Sequence, residues 1–235
     1  MHETRRVGVI GHRGAAGIEP ENTLRSFRKA IELGVDAIEC DVHMTRDARA
    51  VLIHDATLDR TTGGTGAVNE KTFDEIRTLD AGLGERVPTL RELLDLARGL
   101  IELHVELKDP TAVDRVLEEI AGAGMRGAAI PTCFDTDVLK HIRARDAAIR
   151  LEHIFGDPPA DAVSRALSVR AARISCNFRH LSEAFVVASH DAGLQVVAWA
   201  PDTPDEQQRA IDLGVDFICT NRPDVLLELL RATPG

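Results

Sequence analysis

The sequence lacks any long hydrophobic run, any closely spaced cysteine pair and any excess of basic residues. No segment approaches the ~18 consecutive apolar residues that cross a bilayer, so we expect no membrane span. The polar N-terminus, Met1–Arg6, precedes an apolar run at 7–10 that is too short for a signal-peptide core. These absences argue against a membrane protein or a secreted one.

The four cysteines have no metal-binding spacing. They are Cys40, Cys133, Cys176 and Cys219, and each lies in or beside an apolar run. We therefore predict buried, reduced thiols rather than disulfides. Together with the expected absence of a signal segment, this favours the cytoplasm.

The charge balance is acidic, since 28 basic residues face 38 acidic ones and give a formal net charge of −10. This argues against nucleic acid as a partner, because a nucleic-acid binder needs a basic footprint. It also argues against docking on anionic lipid. An anionic small-molecule substrate would require local cations or a metal ion in its site. Nothing in the sequence indicates an oligomeric state.

Short apolar runs alternate with amphipathic segments along the 235 residues. Strands are predicted at 7–11, 37–43, 51–54, 101–108, 127–131, 150–154, 173–177, 194–200 and 216–220. Helices are predicted at 23–33, 90–97, 112–121 and 223–230. Asn22 is expected to cap the first helix and Gly34 to end it. This βαβα order predicts a parallel sheet.

A short internal repeat extends that prediction, because residues 30–36 (AIELGVD) are nearly identical to residues 210–216 (AIDLGVD). The same helix end, glycine turn and strand start near both ends of the chain indicate a closed barrel of repeated units. We therefore predict an α/β fold, a TIM (β/α)₈ barrel that forms a single domain over residues 1–235.

Nine predicted strands are one more than this barrel needs. The connection from 41 to 51 is too short for a parallel crossover, so strand 51–54 should run antiparallel to strand 37–43. A turn at Asp47-Ala48 would place Asp41 opposite His54, within one residue of register. Residues 56–87 show weak periodicity and are predicted to form a small insertion.

Polar side chains end several of the predicted strands, at the edge where barrel active sites lie. They are His12, Arg13, Glu39, Asp41, His54, Glu106 and Lys108. Strand alternation puts Glu39 and Asp41 on one face, and likewise Glu106 and Lys108. Buried carboxylates seldom persist without partners.

Two interpretations of the carboxylates remain open. Glu39, Asp41 and Glu106 would form a divalent metal site, and their oxygen ligands suit Ca²⁺ or Mg²⁺ better than Zn²⁺. Alternatively, they pair only with Arg13 and Lys108. In the first case these two cations would hold an anionic substrate beside the metal.

The histidines at the predicted mouth suggest proton transfer. His12 and His54 flank the carboxylates and could act as a general acid and a general base, although either could be structural. Trp199 either packs the barrel or walls the substrate pocket. His43 and His104 are expected to be neighbours of the site. The remaining histidines are expected at the surface: His2, His141, His153, His180 and His190.

A series of motifs in this order resembles the glycerophosphodiester phosphodiesterase family, from about residue 7 to residue 220. The series is His12-Arg13-Gly14, Glu21-Asn22-Thr23, Glu39-Cys40-Asp41-Val42, Val51-Leu52-Ile53-His54-Asp55, Leu58-Asp59-Arg60-Thr61-Thr62 and Glu106-Leu107-Lys108. The resemblance implies a TIM barrel with an insertion after the histidine hairpin, which matches 56–87. It implies His12 and His54 as the acid/base pair.

The resemblance further implies a divalent metal on Glu39, Asp41 and Glu106, and hydrolysis of glycerophosphodiesters to glycerol 3-phosphate and an alcohol. The sequence departs from the family pattern at Ala48, where glycine is frequent, and at His104, where asparagine is frequent. It also departs after Trp199 and at Cys133, which precedes Phe134. Phe134 and Trp199 are the candidate pocket residues, so these departures bear on the substrate rather than on the chemistry.

Three rival functions are compatible with parts of this pattern. A phospholipase D-like enzyme on a related barrel would act on lysophospholipid or sphingolipid head groups. A non-catalytic barrel would only bind phosphorylated ligands. A sugar-phosphate isomerase or aldolase would release no alcohol. The choice between Ca²⁺ and Mg²⁺, the role of each histidine, and direct water attack or a cyclic phosphate stay open at this point.

Overall fold

The computed structural model describes residues 7–232, which contain nine β-strands and nine α-helices. The strands are β1 (Gly8–Gly11), β2 (Ala37–Met44), β3 (Ala50–Leu52), β4 (Glu102–Leu107), β5 (Ala129–Cys133), β6 (Glu152–Phe155), β7 (Arg173–Asn177), β8 (Gln195–Trp199) and β9 (Phe217–Thr220). The helices are α1 (Leu24–Leu33), α2 (Phe73–Arg77), α3 (Leu90–Ala97), α4 (Val113–Gly122), α5 (Thr136–Arg145), α6 (Ala162–Ser168), α7 (Glu183–Asp191), α8 (Pro204–Asp212) and α9 (Pro223–Ala232).

Eight parallel strands close into a barrel in the order β1-β9-β8-β7-β6-β5-β4-β2, and β2 pairs with β1 to complete the ring. Strand β3 lies outside the ring and pairs antiparallel with β2. The predicted TIM barrel with an extra hairpin strand is therefore confirmed.

The hairpin differs from the prediction by one residue. The Thr45 N–H donates to the Arg49 carbonyl at 3.0 Å, so the loop holds three residues rather than the predicted two. Its last residue, Ala48, has a φ of 58°, a left-handed conformation in which glycine costs less than alanine. The longer loop shifts the register, and the Asp41 carbonyl accepts from the N–H of Ile53, the residue before His54.

Strand β2 shows how side-chain alternation builds both the core and the site. Ile38, Cys40 and Val42 belong to the main apolar core between strands and helices. Glu39 and Asp41 have the opposite parity and face the barrel interior, as predicted. One strand therefore supplies the core on one face and polar groups on the other.

The internal repeat of residues 30–36 and 210–216 forms the same local structure at both places. Gly34 and Gly214 have φ angles of 82° and 80°, and both lie just after a helix. Beyond them, Asp36 Oδ2 accepts from the Val9 N–H at 2.7 Å and Asp216 Oδ2 accepts from the Val196 N–H at 2.8 Å. Each repeat thus ties a strand start to the neighbouring parallel strand.

Residues 56–87 leave the barrel after β3 and return before α3. They contain α2 and one 3₁₀ turn, Val68–Glu70. Their apolar side chains form a separate cluster against the outer hairpin strand. The cluster consists of Val51, Ile53, Leu58, Val68, Ile76, Ala81 and Val87.

The N-terminal cap of α1 differs from the prediction. Thr23 rather than Asn22 caps α1, because its side chain accepts from the Ser26 N–H, while Asn22 has a φ of 55° and turns inward.

Residues Met1–Arg6, on which the expectation of no signal segment partly rests, lie outside the described residues. Across 7–232, no helix is both long and apolar enough to cross a membrane. All four cysteines are buried and free.

Candidate active site

The carboxyl ends of the barrel strands surround a cavity of about 110 Å³. Eight of the nine predicted site residues line it: His12, Arg13, Glu39, His54, Glu106, Lys108, Phe134 and Trp199. The ninth, Asp41, is completely buried beside them. The ends of strands β1, β2 and β4, and His54, two residues after β3, supply the polar and charged groups because these strands are neighbours in the sheet.

Three buried carboxylates meet at this side. One oxygen from each of Glu39, Asp41 and Glu106 lies within 4.8 Å of the other two. Glu39 Oε2 accepts from the Arg13 N–H at 2.9 Å, and Asp41 Oδ2 accepts from Asn22 Nδ2 at 2.8 Å. Within residues 7–232, Glu39 Oε1 is buried and has no hydrogen-bond partner. The cluster could therefore hold a metal ion.

Electrostatics favour an added cation in this cluster. Burial and the neighbouring Asp41 raise the pKa of Glu39 well above its usual range, and the same two causes raise the pKa of Glu106 to about 7. Burial acts on Asp41 too, but Lys108 and Arg13 outweigh it and lower the pKa of that carboxyl. Without further positive charge, the cluster keeps some of its protons at neutral pH.

Two cations also contact the carboxylates. Lys108 Nζ lies 2.5 Å from Glu106 Oε1 and 3.2 Å from Asp41 Oδ1. Arg13 Nε lies 3.2 Å from Asp41 Oδ2, and Arg13 also pairs with Glu21 at 2.8 Å. The pairing that the sequence left as an alternative is therefore present. It is incomplete, since two cations face three carboxylates.

His12 has a defined tautomer. Asn221 Nδ2 donates to Asp202 Oδ2 at 2.7 Å, so the amide oxygen of Asn221 faces His12 Nδ1 at 2.8 Å. Nδ1 therefore carries the proton, and Nε2 points toward the carboxylates, 3.8 Å from Glu39 Oε2. Burial and the adjacent Arg13 lower the pKa of His12 to about 4. The ring is neutral, with a free lone pair at Nε2.

His54 is held differently. Its Nδ1 lies 2.7 Å from Asp55 Oδ1, and its carbonyl accepts from His43 Nε2 at 3.1 Å. Arg60, from the segment after β3, donates to both Asp55 oxygens at 2.7 and 2.9 Å and lowers the pKa of that carboxyl. The two imidazoles thus reach one cavity with different partners, an amide for His12 and a carboxylate for His54.

Part of the cavity wall is aromatic. The rings of Phe134 and Trp199 meet edge to face with centroids 6.0 Å apart, and Lys108 Nζ lies 5.9 Å from the Phe134 centroid. Trp199 Nε1 has no hydrogen-bond partner among the described residues. Of the two roles open for Trp199, its position on the cavity favours the pocket wall.

Several residues that support the site were missed from sequence. Asn221 was visible as a polar residue after the last strand, but its link to His12 spans 209 positions. Arg60 lies in one of the family motifs and Asp202 in the segment after Trp199 that departs from the family pattern, but their contacts with Asp55 and Asn221 were not predicted. Asn22 was interpreted as a helix cap, whereas its side chain binds Asp41.

The predicted neighbours and surface histidines are placed mostly as expected. His104 lines the cavity floor. His43 binds the backbone of His54. His153 was predicted at the surface, but it is fully buried. Its polar ring is accommodated there because Nε2 lies 2.8 Å from the Thr136 hydroxyl and the ring stacks on Phe155. His2 lies outside the described residues.

Comparison with known proteins identifies the family. The sequence model of the glycerophosphoryl diester phosphodiesterase family matches residues 12–225. A glycerophosphodiester phosphodiesterase of Caldanaerobacter subterraneus subsp. tengcongensis is 31% identical over 236 residues, which cover 95% of this chain and 97% of that protein.

Solved structures show the same fold. A glycerophosphodiester phosphodiesterase from Agrobacterium tumefaciens superposes with a TM-score of 0.83 at 29% identity, over 94% of this chain and 99% of that one. An Oleispira antarctica phosphodiesterase, solved with its product sn-glycerol-3-phosphate, gives a TM-score of 0.88 at 24% identity, over 95% of this chain and 96% of that one. The chain belongs to the glycerophosphoryl diester phosphodiesterase family and is a phosphodiesterase.

Proposed function

We propose that the protein hydrolyses glycerophosphodiesters to glycerol 3-phosphate and an alcohol, with a divalent metal ion and two histidines. One observation carries the proposal: three buried carboxylates, two cations and two imidazoles converge on one cavity. The names of its curated relatives support the substrate class.

Glu39, Asp41 and Glu106 would hold the metal ion, Ca²⁺ or Mg²⁺. Their donors are carboxylate oxygens, which both ions prefer, and the unpartnered Glu39 Oε1 offers a free ligand atom. When bound, the ion supplies positive charge that polarises the phosphodiester.

Arg13 and Lys108 would bind the phosphate. Both border the cavity and both contact Asp41, so they stand beside the proposed metal ligands. The planar guanidinium of Arg13 suits two non-bridging oxygens, whereas the Lys108 ammonium adds a point charge where negative charge develops. Phe134 and Trp199, which also line the cavity, would contact the organic part of the substrate.

His12 and His54 would transfer the protons. The lone pair at His12 Nε2 suits a proton acceptor from the attacking hydroxyl or water. His54 lies against the Asp55 carboxylate, which can stabilise positive charge on the ring, so we assign it the proton donor to the leaving alcohol. The fold is compatible both with direct water attack and with a cyclic phosphate.

Hydrolysis of a panel of phosphodiesters tests this function, measured as release of glycerol 3-phosphate from the soluble diesters and as release of choline from the lysolipid. The panel contains the choline, ethanolamine, glycerol and inositol diesters of glycerol 3-phosphate, with lysophosphatidylcholine as the lipid comparison, each with Ca²⁺ and with Mg²⁺. We expect turnover of at least one soluble diester that exceeds turnover of the lysolipid. Hydrolysis of the lysolipid alone would favour the phospholipase D-like rival, and no hydrolysis at all would contradict the proposal.

We also propose that the protein is cytoplasmic, which the four buried free thiols support because they suit a reducing compartment. Cell fractionation checks this, and recovery of the native protein outside the cytoplasm would contradict it.

A further inference from the structure

A polar row crosses the barrel interior from the metal ligands to the cavity floor. Glu106 on β4 pairs in register with Thr132 on β5, and Thr132 pairs with Glu152 on β6. Because register partners share a face and adjacent strands lie ~4.8 Å apart, Thr132 and Glu152 follow Glu106 at steps of about 5 Å. All three line the cavity.

Two members of the row have unused hydrogen-bonding capacity. Thr132 is 1% exposed, and its hydroxyl has no partner within the described part of the chain. Glu152 is 3% exposed, and its one ion-pair contact within residues 7–232 is His104 Nδ1, 2.8 Å from Oε2. A carboxylate can accept about four hydrogen bonds, so Glu152 retains free acceptor sites. Buried polar groups of this kind are costly unless a ligand satisfies them.

The charges below Glu152 do not use that capacity. Glu102 forms ion pairs with Arg150 and Arg173, each at 2.6 Å. A guanidinium nitrogen of Arg173 also lies 2.7 Å from His104 Nε2. These groups form a closed network under the cavity, in which His104 contacts both Arg173 and Glu152. Among the described residues, the floor therefore presents a threonine hydroxyl without a partner and a carboxylate whose one ion-pair contact is His104 on one oxygen, which leaves acceptor sites on Glu152 unused.

We propose that Thr132 and Glu152 form a hydroxyl-binding subsite for the glycerol moiety of the substrate. The inference rests on the proposed function, which holds the phosphate at Glu106 and so directs an attached glyceryl group along the row. A glycerol hydroxyl can donate to Glu152, and another can either donate to or accept from the Thr132 hydroxyl. The subsite would select hydroxylated phosphoesters over deoxy analogues of the same length.

Binding of two phosphate monoesters tests the subsite. Isothermal titration of the Ca²⁺-loaded protein compares sn-glycerol 3-phosphate with n-propyl phosphate, which has the same carbon chain without hydroxyls. We expect the wild type to prefer glycerol 3-phosphate by ~10-fold or more, since one hydrogen bond to a buried group is worth about tenfold in affinity. Thr132→Val and Glu152→Gln should each reduce the preference ~10-fold while the propyl phosphate affinity stays within about twofold.

Ser189→Ala is the matched control. It removes a buried hydroxyl on α7, away from the cavity, where Ser189 Oγ donates to the Phe185 carbonyl at 2.8 Å. It should keep the wild-type preference. Thermal unfolding of each variant shows whether it folds. If Glu152→Gln fails to fold, the binding preference of Thr132→Val alone tests the subsite.

The outcomes separate the two claims. Equal binding of both phosphates by the wild type contradicts the subsite, and so does an unchanged preference in a folded Thr132→Val protein. Hydrolysis of the diester panel is scored separately in the same preparation. Its absence contradicts the proposed function, whatever the binding ratio shows.

Discussion

The two histidines of the site come from separate segments, His12 after β1 and His54 after β3, and they meet across one cavity. His12→Ala and His54→Ala should each lower kcat by ~10²–10⁴-fold, because each removes one proton-transfer group. His141→Ala, at an exposed position on α5, is the control and should leave kcat unchanged. Steady-state kinetics on a soluble diester, with circular dichroism as a check of folding, measure this effect. Near-normal turnover of either site variant would contradict its assigned role.

Asn221 should act as a positioning residue for His12. Asn221→Ala removes the acceptor that keeps the proton on Nδ1, so we expect kcat to fall ~10–100-fold with little change in KM. The pH dependence of kcat should also shift, because the ring loses its preferred tautomer. Asn177→Ala, which removes a cap of a 3₁₀ turn, controls for the loss of an asparagine side chain. Equal kcat in wild type and Asn221→Ala would exclude the positioning role.

Strand alternation was enough to predict which side chains of β2 and β4 face the interior, because a period of two needs only local sequence. It could not predict Asn221, Asp202 or Thr132. Their roles depend on which strands become neighbours and on how far each strand is displaced in register, and both are set by closure of the whole ring. His153 failed for a related reason: a histidine facing the helix layer looks polar in sequence, yet a threonine hydroxyl satisfies it.

At the scale of elements, the β2–β3 hairpin carries local strain at Ala48. A non-glycine residue in the left-handed region costs roughly 1–2 kcal/mol, and glycine recovers part of that at an entropic cost of ~0.4–1 kcal/mol in the unfolded chain. Ala48→Gly should therefore stabilise the protein by about 0.5 kcal/mol. Ala188→Gly, exposed in the middle of α7, should instead destabilise it by ~1 kcal/mol.

Urea unfolding of the two glycine variants measures these opposite signs. A lower urea midpoint for Ala48→Gly than for the wild type would show that the left-handed turn is not strained. The hairpin also explains why the observed register differs by one residue from the predicted pairing, which lies within the margin of that prediction. The strands and their antiparallel pairing followed from connection length, but the loop size depended on whether alanine would accept a positive φ, which composition does not reveal.

At the scale of the molecule, stability should depend on metal and pH together. Burial and Asp41 raise the pKa of Glu106 from 4.5 to about 7. The folded protein thus holds a proton that the unfolded chain has released, so this contribution to stability is full below 4.5 and lost as pH rises toward 7. A bound metal ion replaces that proton, and its binding should strengthen over the same range.

Calorimetric melting with and without Ca²⁺ tests this linkage. The rise in Tm caused by Ca²⁺ should be larger at about pH 8 than at about pH 5.5. Subtracting the Tm without Ca²⁺ from the Tm with Ca²⁺ at each pH cancels the effect of groups that do not bind the ion. One such group is His153, whose pKa is lowered to about 4 by burial, so that its contribution to stability changes with pH in the opposite direction to that of Glu106. Glu106→Gln should abolish most of the rise at both values. An equal rise at both pH values would contradict the assignment of Glu106 as a ligand.

The same melting scans examine domain organisation. We propose that residues 1–235 form one domain with residues 56–87 as a small insertion, supported by the Arg60 contacts to Asp55 and Glu21 at 2.7–2.9 Å. One cooperative transition is expected. A separate, earlier transition assigned to residues 56–87 would show that this segment folds independently of the barrel.

The central claim, that buried carboxylates hold a metal ion for phosphodiester hydrolysis, is tested most directly by glycerol 3-phosphate release from a single diester such as glycerophosphocholine. The protein is stripped with a chelator, assayed, and assayed again after Ca²⁺ or Mg²⁺ is restored, beside Glu39→Gln. We expect release to stop on chelation, to recover with at least one ion, and to stay low in Glu39→Gln. Full release by the stripped protein would contradict the account.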